Sequence, residues 1–137
     1  MNYLIDTNVV SELRKDTRRN PNVGRWYTGT ISETLYLSVL VLGELRKGVE
    51  KARARDPAQA RALEKWVDQI RKDFSERILP IDLRVVDEWG RMNAIRPLPV
   101  IDSLLAATAK VHAMTLVARN ILDMSNLGVR VLNPFAD

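Results

Sequence analysis

The sequence predicts an α/β fold: one domain over residues 1–137, with a central parallel sheet of four or five strands flanked by helices and a protruding helical hairpin. Short apolar runs alternate with amphipathic helical patterns, which is the signature of strand–helix–strand units. The run Leu4-Ile5 is continuously apolar rather than alternating, as expected for a strand covered on both faces. A chain of 137 residues with 46% hydrophobic content is also long enough to bury a real core.

In chain order, residues 2–5 form the first strand and a helix runs from about 8 to 14. Asn20-Pro21-Asn22 opens a second helix, whose Val23, Trp26 and Tyr27 share an apolar face. Tyr36 to Ser38 is a short strand, and Val41, Leu42, Leu45, Val49 and Ala52 give the spacing of a third helix. Asp56-Pro57 couples a capping residue with proline at a first helical position, introducing a helix through Leu63, Trp66, Val67, Ile70 and Phe74. These two helices form the hairpin. Ile78 to Ile81 reads as a strand, Leu83 to about Ala94 as a helix, and Pro97-Leu98-Pro99 as an extended connection. A helix rich in alanine and leucine spans Asp102 to His112, followed by strands at Thr115–Ala118 and Val129–Leu132. Trp26, Trp66 and Trp89 are most simply core residues, with a partner-facing role as the alternative.

Composition narrows the chemistry. With no cysteine, disulfides, thiolate zinc sites and cysteine nucleophiles are excluded. The single histidine, His112, shares an apolar face with Ala109 and reads as structural, so paired-histidine nuclease chemistry is excluded too. No apolar stretch reaches about 18 residues and no leader pattern is present, so the expectation is a cytoplasmic protein with no membrane role. The 21 basic and 17 acidic residues give a net charge of +4, and the basic excess lies before residue 97. Arg14, Lys15, Arg18, Arg19 and Arg25 form one patch; Arg46, Lys47, Lys51, Arg53 and Arg55 form another. Lys47, Lys51 and Arg55 recur every four residues, a stripe that reads equally as a phosphate-binding surface or as a solvated helix face.

Several carboxylates occupy unusual settings. Asp6 ends the first strand, where α/β folds deliver side chains to a ligand crevice, although an Asp there is also a preferred helix cap. Glu44 lies in the apolar run from Val39 to Leu45, with Gly48 leaving open space a turn later; pairing with Lys47 or exposure to water is its ordinary explanation. Asp102 stands over Leu105, Ala106 and Ala109, or else simply complements a helix dipole. Asp123 and Asn120 follow a late strand, where loop polarity is the simple account. Gathered together, carboxylates and an amide would supply the hard oxygen ligands that Mg²⁺ or Mn²⁺ prefers, and a cation would relieve their mutual repulsion. Water activated by metal is then the chemistry left available.

Four segments carry a family likeness: Leu4-Ile5-Asp6-Thr7-Asn8 with Val9 and Ser11-Glu12; Gly43-Glu44-Leu45-Arg46-Lys47-Gly48; Ile101-Asp102 with Leu105 to Ala109; and Leu116 to Asn120 with Asp123 and the closing Asn133-Pro134. In order, they make the chain resemble the PIN-domain ribonucleases, particularly the VapC-type and FitB-like toxins of bacterial toxin–antitoxin systems. The resemblance implies an acidic pocket for Mg²⁺ or Mn²⁺, endonucleolytic cleavage of RNA, a homodimer, and a cognate antitoxin whose tail enters that pocket. It implies Asp6, Glu44, Asp102 and Asp123 as catalytic residues and metal ligands, with Asn120 and Asp123 competing for the fourth position. Asn8 and Ser11 would orient ligands or water from behind, and Arg14, Lys15, Arg46, Lys47 and Lys51 would guide the RNA backbone. The chain departs from the family pattern at Ala118, where a hydroxyl is frequent, and at Met124, where an aromatic is usual. The competing reading is a noncatalytic binding module or a phosphoacceptor receiver-like domain with Asp82 as acceptor, although no second acid stands beside Asp6 and the late strand ends in Ala118-Arg119 rather than a lysine.

Overall fold

The structure is a computed structural model that describes residues 1–119 and 125–136. Five strands, β1 (Tyr3–Ile5), β2 (Leu35–Ser38), β3 (Ile78–Leu79), β4 (Thr115–Val117) and β5 (Val131–Leu132), form one sheet in the order β3-β2-β1-β4-β5. Every pairing is parallel, so each connection must cross over one face of the sheet. Six α-helices do this among the described residues: α1 (Thr7–Arg14), α2 (Pro21–Thr28), α3 (Val39–Arg53), α4 (Pro57–Asp73), α5 (Leu83–Ile95) and α6 (Val100–Val111). Covering both faces buries Leu4, Ile5, Leu35, Leu37 and Val117 almost completely, which is why those strands carry continuous apolar runs.

The chain travels outward from β1 through β2 to β3, then returns to the other side of β1 for β4 and β5. That reversal leaves a crevice at the carboxyl ends of β1 and β4, the usual ligand position in an open parallel sheet. The backbone N–H of Asp6 donates to the Val117 carbonyl at 2.9 Å, tying the start of the crevice to β4.

Local signals set most helix starts. The Asn20 side chain accepts from Asn22 N at 2.9 Å, Ser38 Oγ from Leu40 N at 3.1 Å, and Asp56 Oδ1 from Ala58 N and Gln59 N at 3.2 Å. The expected third strand stops at Leu79 because Pro80 has no N–H for the ladder. The sixth helix starts at Val100, earlier than expected, with Pro99 at the cap position, and this puts Asp102 inside the first turn. Short 3₁₀ turns at 16–18, 32–34 and 125–127 were not anticipated from periodicity. The α3–α4 hairpin is clamped by Glu64, which accepts from Arg46 Nη1 at 2.6 Å and Arg53 Nη2 at 3.2 Å, with Glu50 also on both arginines. Leu63, Trp66, Val67 and Ile70 of α4, with Phe74 at its C-cap, face the core as the apolar spacing required, and all three tryptophans pack against it. No helix of the described residues is long and apolar enough to cross a membrane.

Glu12 is the one buried acid among the described residues, 7% exposed on α1. Its Oε1 accepts from Lys15 Nζ at 3.0 Å and its Oε2 from Asn20 N at 2.8 Å, so it fixes the basic connection between α1 and α2. These two donors hold its carboxyl below the ordinary value of 4.5, with Arg119 adding a weaker pull. Glu12→Ala should destabilise the fold by about 1–3 kcal/mol, the usual cost of orphaning a buried donor. Because the folded-state value is depressed, this contribution is complete above pH ~4.5 and fades as pH falls through the lowered value. Urea midpoints of wild type and variant should therefore converge in acid; a constant difference down to pH 3 would contradict it.

Candidate active site

Three elements converge on the crevice. Asp6 follows β1 immediately and caps α1, its Oδ1 accepting from Thr7 N at 2.7 Å. The cap reading of Asp6 is thus realised, and the same residue borders the crevice. Glu44 sits in the second turn of α3, which starts directly at the carboxyl end of β2 beside β1. Asp102 projects from the first turn of α6, the helix leading into β4 on the other side of β1.

The electrostatics bind these acids into one group. Burial raises the Asp6 carboxyl from 3.8 to about 6; the Thr7 N–H opposes this, while the charges of Asp102 and Glu44 add to it. The Asp102 carboxyl is also pushed up, first by burial and then by Glu44. Among the described residues none of the three carboxylates has an ion-pair partner. Oxygen donors that repel one another and lack a basic side chain suit a hard divalent cation. As placed, the described His, Cys, Asp and Glu residues do not close into a ready three-ligand cage. Asn120 and Asp123, expected on the opposite wall, lie outside the described residues.

Sequence reasoning missed Thr7. Its Oγ1 donates to Glu44 Oε1 at 2.6 Å, holding one carboxylate oxygen in place. A hydroxyl next to a strand-ending Asp was the available signal, but its acceptor lies on another helix. Asn8 and Ser11, expected as supporting residues, are exposed on α1. Ser11 lines the recess that also contains Thr7 and Glu44.

Glu44 borders two hollows. One, of 260 Å³, runs past Thr7 and Ser11 to Arg14, Lys15 and Arg18, with Trp66 in its wall. The other, of 340 Å³, is bounded by Val39, Gly43, Lys47 and Ile101. An added Cβ at Gly43 or Gly48 would meet nothing within 4 Å, so both glycines keep the approaches to Glu44 open. The five basic residues expected to guide a polyanion are differently placed. Arg14 lies over the Trp66 ring at 5.5 Å, Lys15 is paired with Glu12, and Lys47 and Lys51 are exposed without an ion pair among the described residues. Arg46 directs its guanidinium to Glu64 and Glu50, so much of its charge is balanced within the hairpin. Asp82, the alternative phosphoacceptor, caps α5 by accepting from Val85 N at 3.1 Å, and it follows edge strand β3, separated from Asp6 by β2.

Comparison with known proteins agrees with this geometry. The chain is 32% identical over 140 residues to Toxin FitB of Neisseria gonorrhoeae, covering 98% of this chain and 99% of the relative. It is 29% identical to VapC ribonuclease Y4jK of Sinorhizobium fredii, with 96% of each covered. The crystal structure of FitAcB from Neisseria gonorrhoeae superposes with a TM-score of 0.86 at 32% identity, covering 97% of this chain and 98% of that one. The model of the PIN domain matches residues 3–122. With the sheet order, the acid-lined crevice and this match in agreement, the chain belongs to the PIN domain family.

Proposed function

We propose that this protein is a metal-dependent endoribonuclease and the toxin of a type II toxin–antitoxin pair, with an antitoxin protein and a second copy of itself as partners. The observation that carries the reading is the set of carboxylates without an ion-pair partner among the described residues, Asp6, Glu44 and Asp102, in the crevice where the sheet order reverses. The relatives named Toxin FitB and VapC ribonuclease support it. Asp6, Glu44 and Asp102, with Asp123 or Asn120, would hold Mg²⁺ or Mn²⁺. Such an ion, when bound, lowers the pKa of a water nucleophile and neutralises charge on the phosphoryl group. The chain's own groups do the rest: Thr7 orients Glu44, and Arg14, Lys15, Arg18 and Lys47 draw the phosphate backbone along the two hollows.

Sequencing of RNA ends after controlled expression of wild type and Asp6→Ala tests catalysis and substrate together. New, discrete ends should appear with wild type and be absent with the variant; identical ends from both would overturn the reading. In vitro, excess EDTA should stop cleavage and added Mg²⁺ or Mn²⁺ restore it.

The raised Asp6 carboxyl gives a pH signature. A proton and a cation compete for the same oxygens, so the apparent affinity for Mn²⁺ should weaken as pH falls through about 6. Calorimetric titration between pH 5 and 8 checks this; an affinity independent of pH over that range would contradict the assignment of Asp6 as a ligand.

A further inference from the structure

The first turn of α6 carries Asp102 and is held without a side-chain cap. A helix leaves its first N–H groups without partners, and a side chain at the cap position ordinarily takes one or two of them. Here the cap position is Pro99, whose ring offers no acceptor, and no side chain caps the helix. The turn also has little apolar anchorage. Val100 is 59% exposed, Asp102 is exposed and Ile101 is only half-buried, whereas every side chain from Leu105 to Ala109 is buried. Within the turn Ser103 is the exception, with no exposed surface.

The anchor is a short chain of hydrogen bonds from α5. The Trp89 indole N–H donates to Ser103 Oγ at 3.0 Å, and the Ser103 hydroxyl donates to the Val100 carbonyl at 3.0 Å. The Ser103 hydroxyl thus donates within its own helix and accepts from the neighbouring one. Its backbone N–H donates to the Pro99 carbonyl at 2.9 Å, closing the first ring of the helix. One turn further along α5, Asn93 Nδ2 donates to the Trp89 carbonyl at 3.0 Å, and Asn93 Oδ1 accepts from Leu98 N at 3.2 Å. Residues four apart share a helix face, so one face of α5 grips both the extended connection and the turn that follows it.

Asp102 has no ion pair among the described residues, so its position is set by the backbone of this turn. We propose that Trp89 and Ser103 are positioning residues for Asp102: the indole N–H, acting through the Ser103 hydroxyl, fixes the uncapped first turn of α6 and with it the place of the carboxylate in the acidic crevice. The proposal rests on the ribonuclease reading for what Asp102 does there, but the pin between the two helices is independent of it.

Two variants break the pin from opposite sides. Trp89→Phe keeps a ring in the same space and deletes the N–H; Ser103→Ala deletes the hydroxyl. In calorimetric titration each should bind Mn²⁺ about ten-fold or more weakly than wild type, within the ~10–100-fold typical of residues that support ligands. Because both act through one hydrogen bond, the double variant should bind as weakly as the weaker single variant, not by the product of two losses. Cleavage lost at low Mn²⁺ should return in excess Mn²⁺. Amide hydrogen exchange reads the pin without metal: the Ser103 N–H should exchange at least ten-fold faster in Trp89→Phe, with the amides from Ala106 to Ala109 unchanged.

Asp102→Asn separates the two readings. Where it weakens Mn²⁺ binding, wild-type affinity in both single variants, whatever their melting temperatures, overturns the proposal and leaves the nuclease reading standing. Losses that multiply in the double variant overturn it too, since each residue would then act by its own packing. Where Asp102→Asn binds Mn²⁺ as wild type does, the metal reading of Asp102 falls and exchange at Ser103 decides the pin: acceleration in Trp89→Phe supports it, and no change overturns it.

Discussion

Asp6→Asn is expected to abolish metal-dependent RNA cleavage while making the protein more stable. Losing a direct ligand should cost more than the ~10–100-fold typical of residues that only support ligands, so at least about two orders of magnitude in rate are expected. Stability should move the other way. Burial and the neighbouring charges hold the Asp6 carboxyl at about 6 instead of 3.8, so the ionised side chain opposes folding. A raised carboxyl means that the folded state binds the proton more tightly than the unfolded chain. The penalty is therefore complete above pH ~6 and vanishes once both states are protonated, below ~3.8. Asparagine caps a helix as well as aspartate does and carries no charge, so the α1 cap survives the exchange. After allowance for solvent around the group, the gain at pH 7 should be on the order of 1 kcal/mol, a rise in melting temperature of roughly 2–6 °C. Melts at pH 7 and pH 4 beside a cleavage assay measure all of this. A variant that is inactive and less stable at pH 7 would show that Asp6 serves the fold rather than a destabilised site.

The second large effect concerns Thr7. Its hydroxyl is the only donor to Glu44 among the described residues, and the 2.6 Å contact joins α1 to α3 across the crevice. Thr7→Val keeps the shape and the branched Cβ but removes the O–H, leaving Glu44 free to turn. Cleavage should fall about 10–100-fold, with the loss expressed as weaker Mn²⁺ affinity rather than a changed fold. Thr7→Ser restores a hydroxyl at the same position and should recover most of the activity. A Ser variant as poor as the Val variant would mean that the methyl packing of Thr7, not its hydrogen bond, is what matters. Equal Mn²⁺ affinity in wild type and Thr7→Val would exclude the positioning role.

Both variants also separate what was legible in the residues from what was not. Asp6 stood out because an apolar strand ends in it, and Asp102 because small apolar residues follow it through two helical turns. Glu44 stood out as a lone acid in an apolar run. Thr7 did not, since nothing in the adjacent residues announces a partner on α3. Arg46 misled in the opposite sense: in the sequence it belongs to a basic patch, whereas on the folded hairpin its guanidinium meets Glu64 of α4 at 2.6 Å.

Local residue patterns specify the elements. Periodicity, caps such as Asn20 and Asp56, and a first-turn proline such as Pro57 act over a few residues, so strands and helices could be read with small errors at their ends, the third strand being read past Pro80. Their arrangement comes from long-range pairing. The order β3-β2-β1-β4-β5 is a set of pairings between distant segments, and only that order sets Glu44 and Asp102 on either side of Asp6 at one end of the sheet. It likewise brings α1, α2 and α4 around one cavity and stacks three arginines on three rings there. The physical reason is the same throughout: local patterns fix backbone conformation and burial, whereas which side chains meet across a parallel sheet follows from long-range packing that no short window of residues encodes.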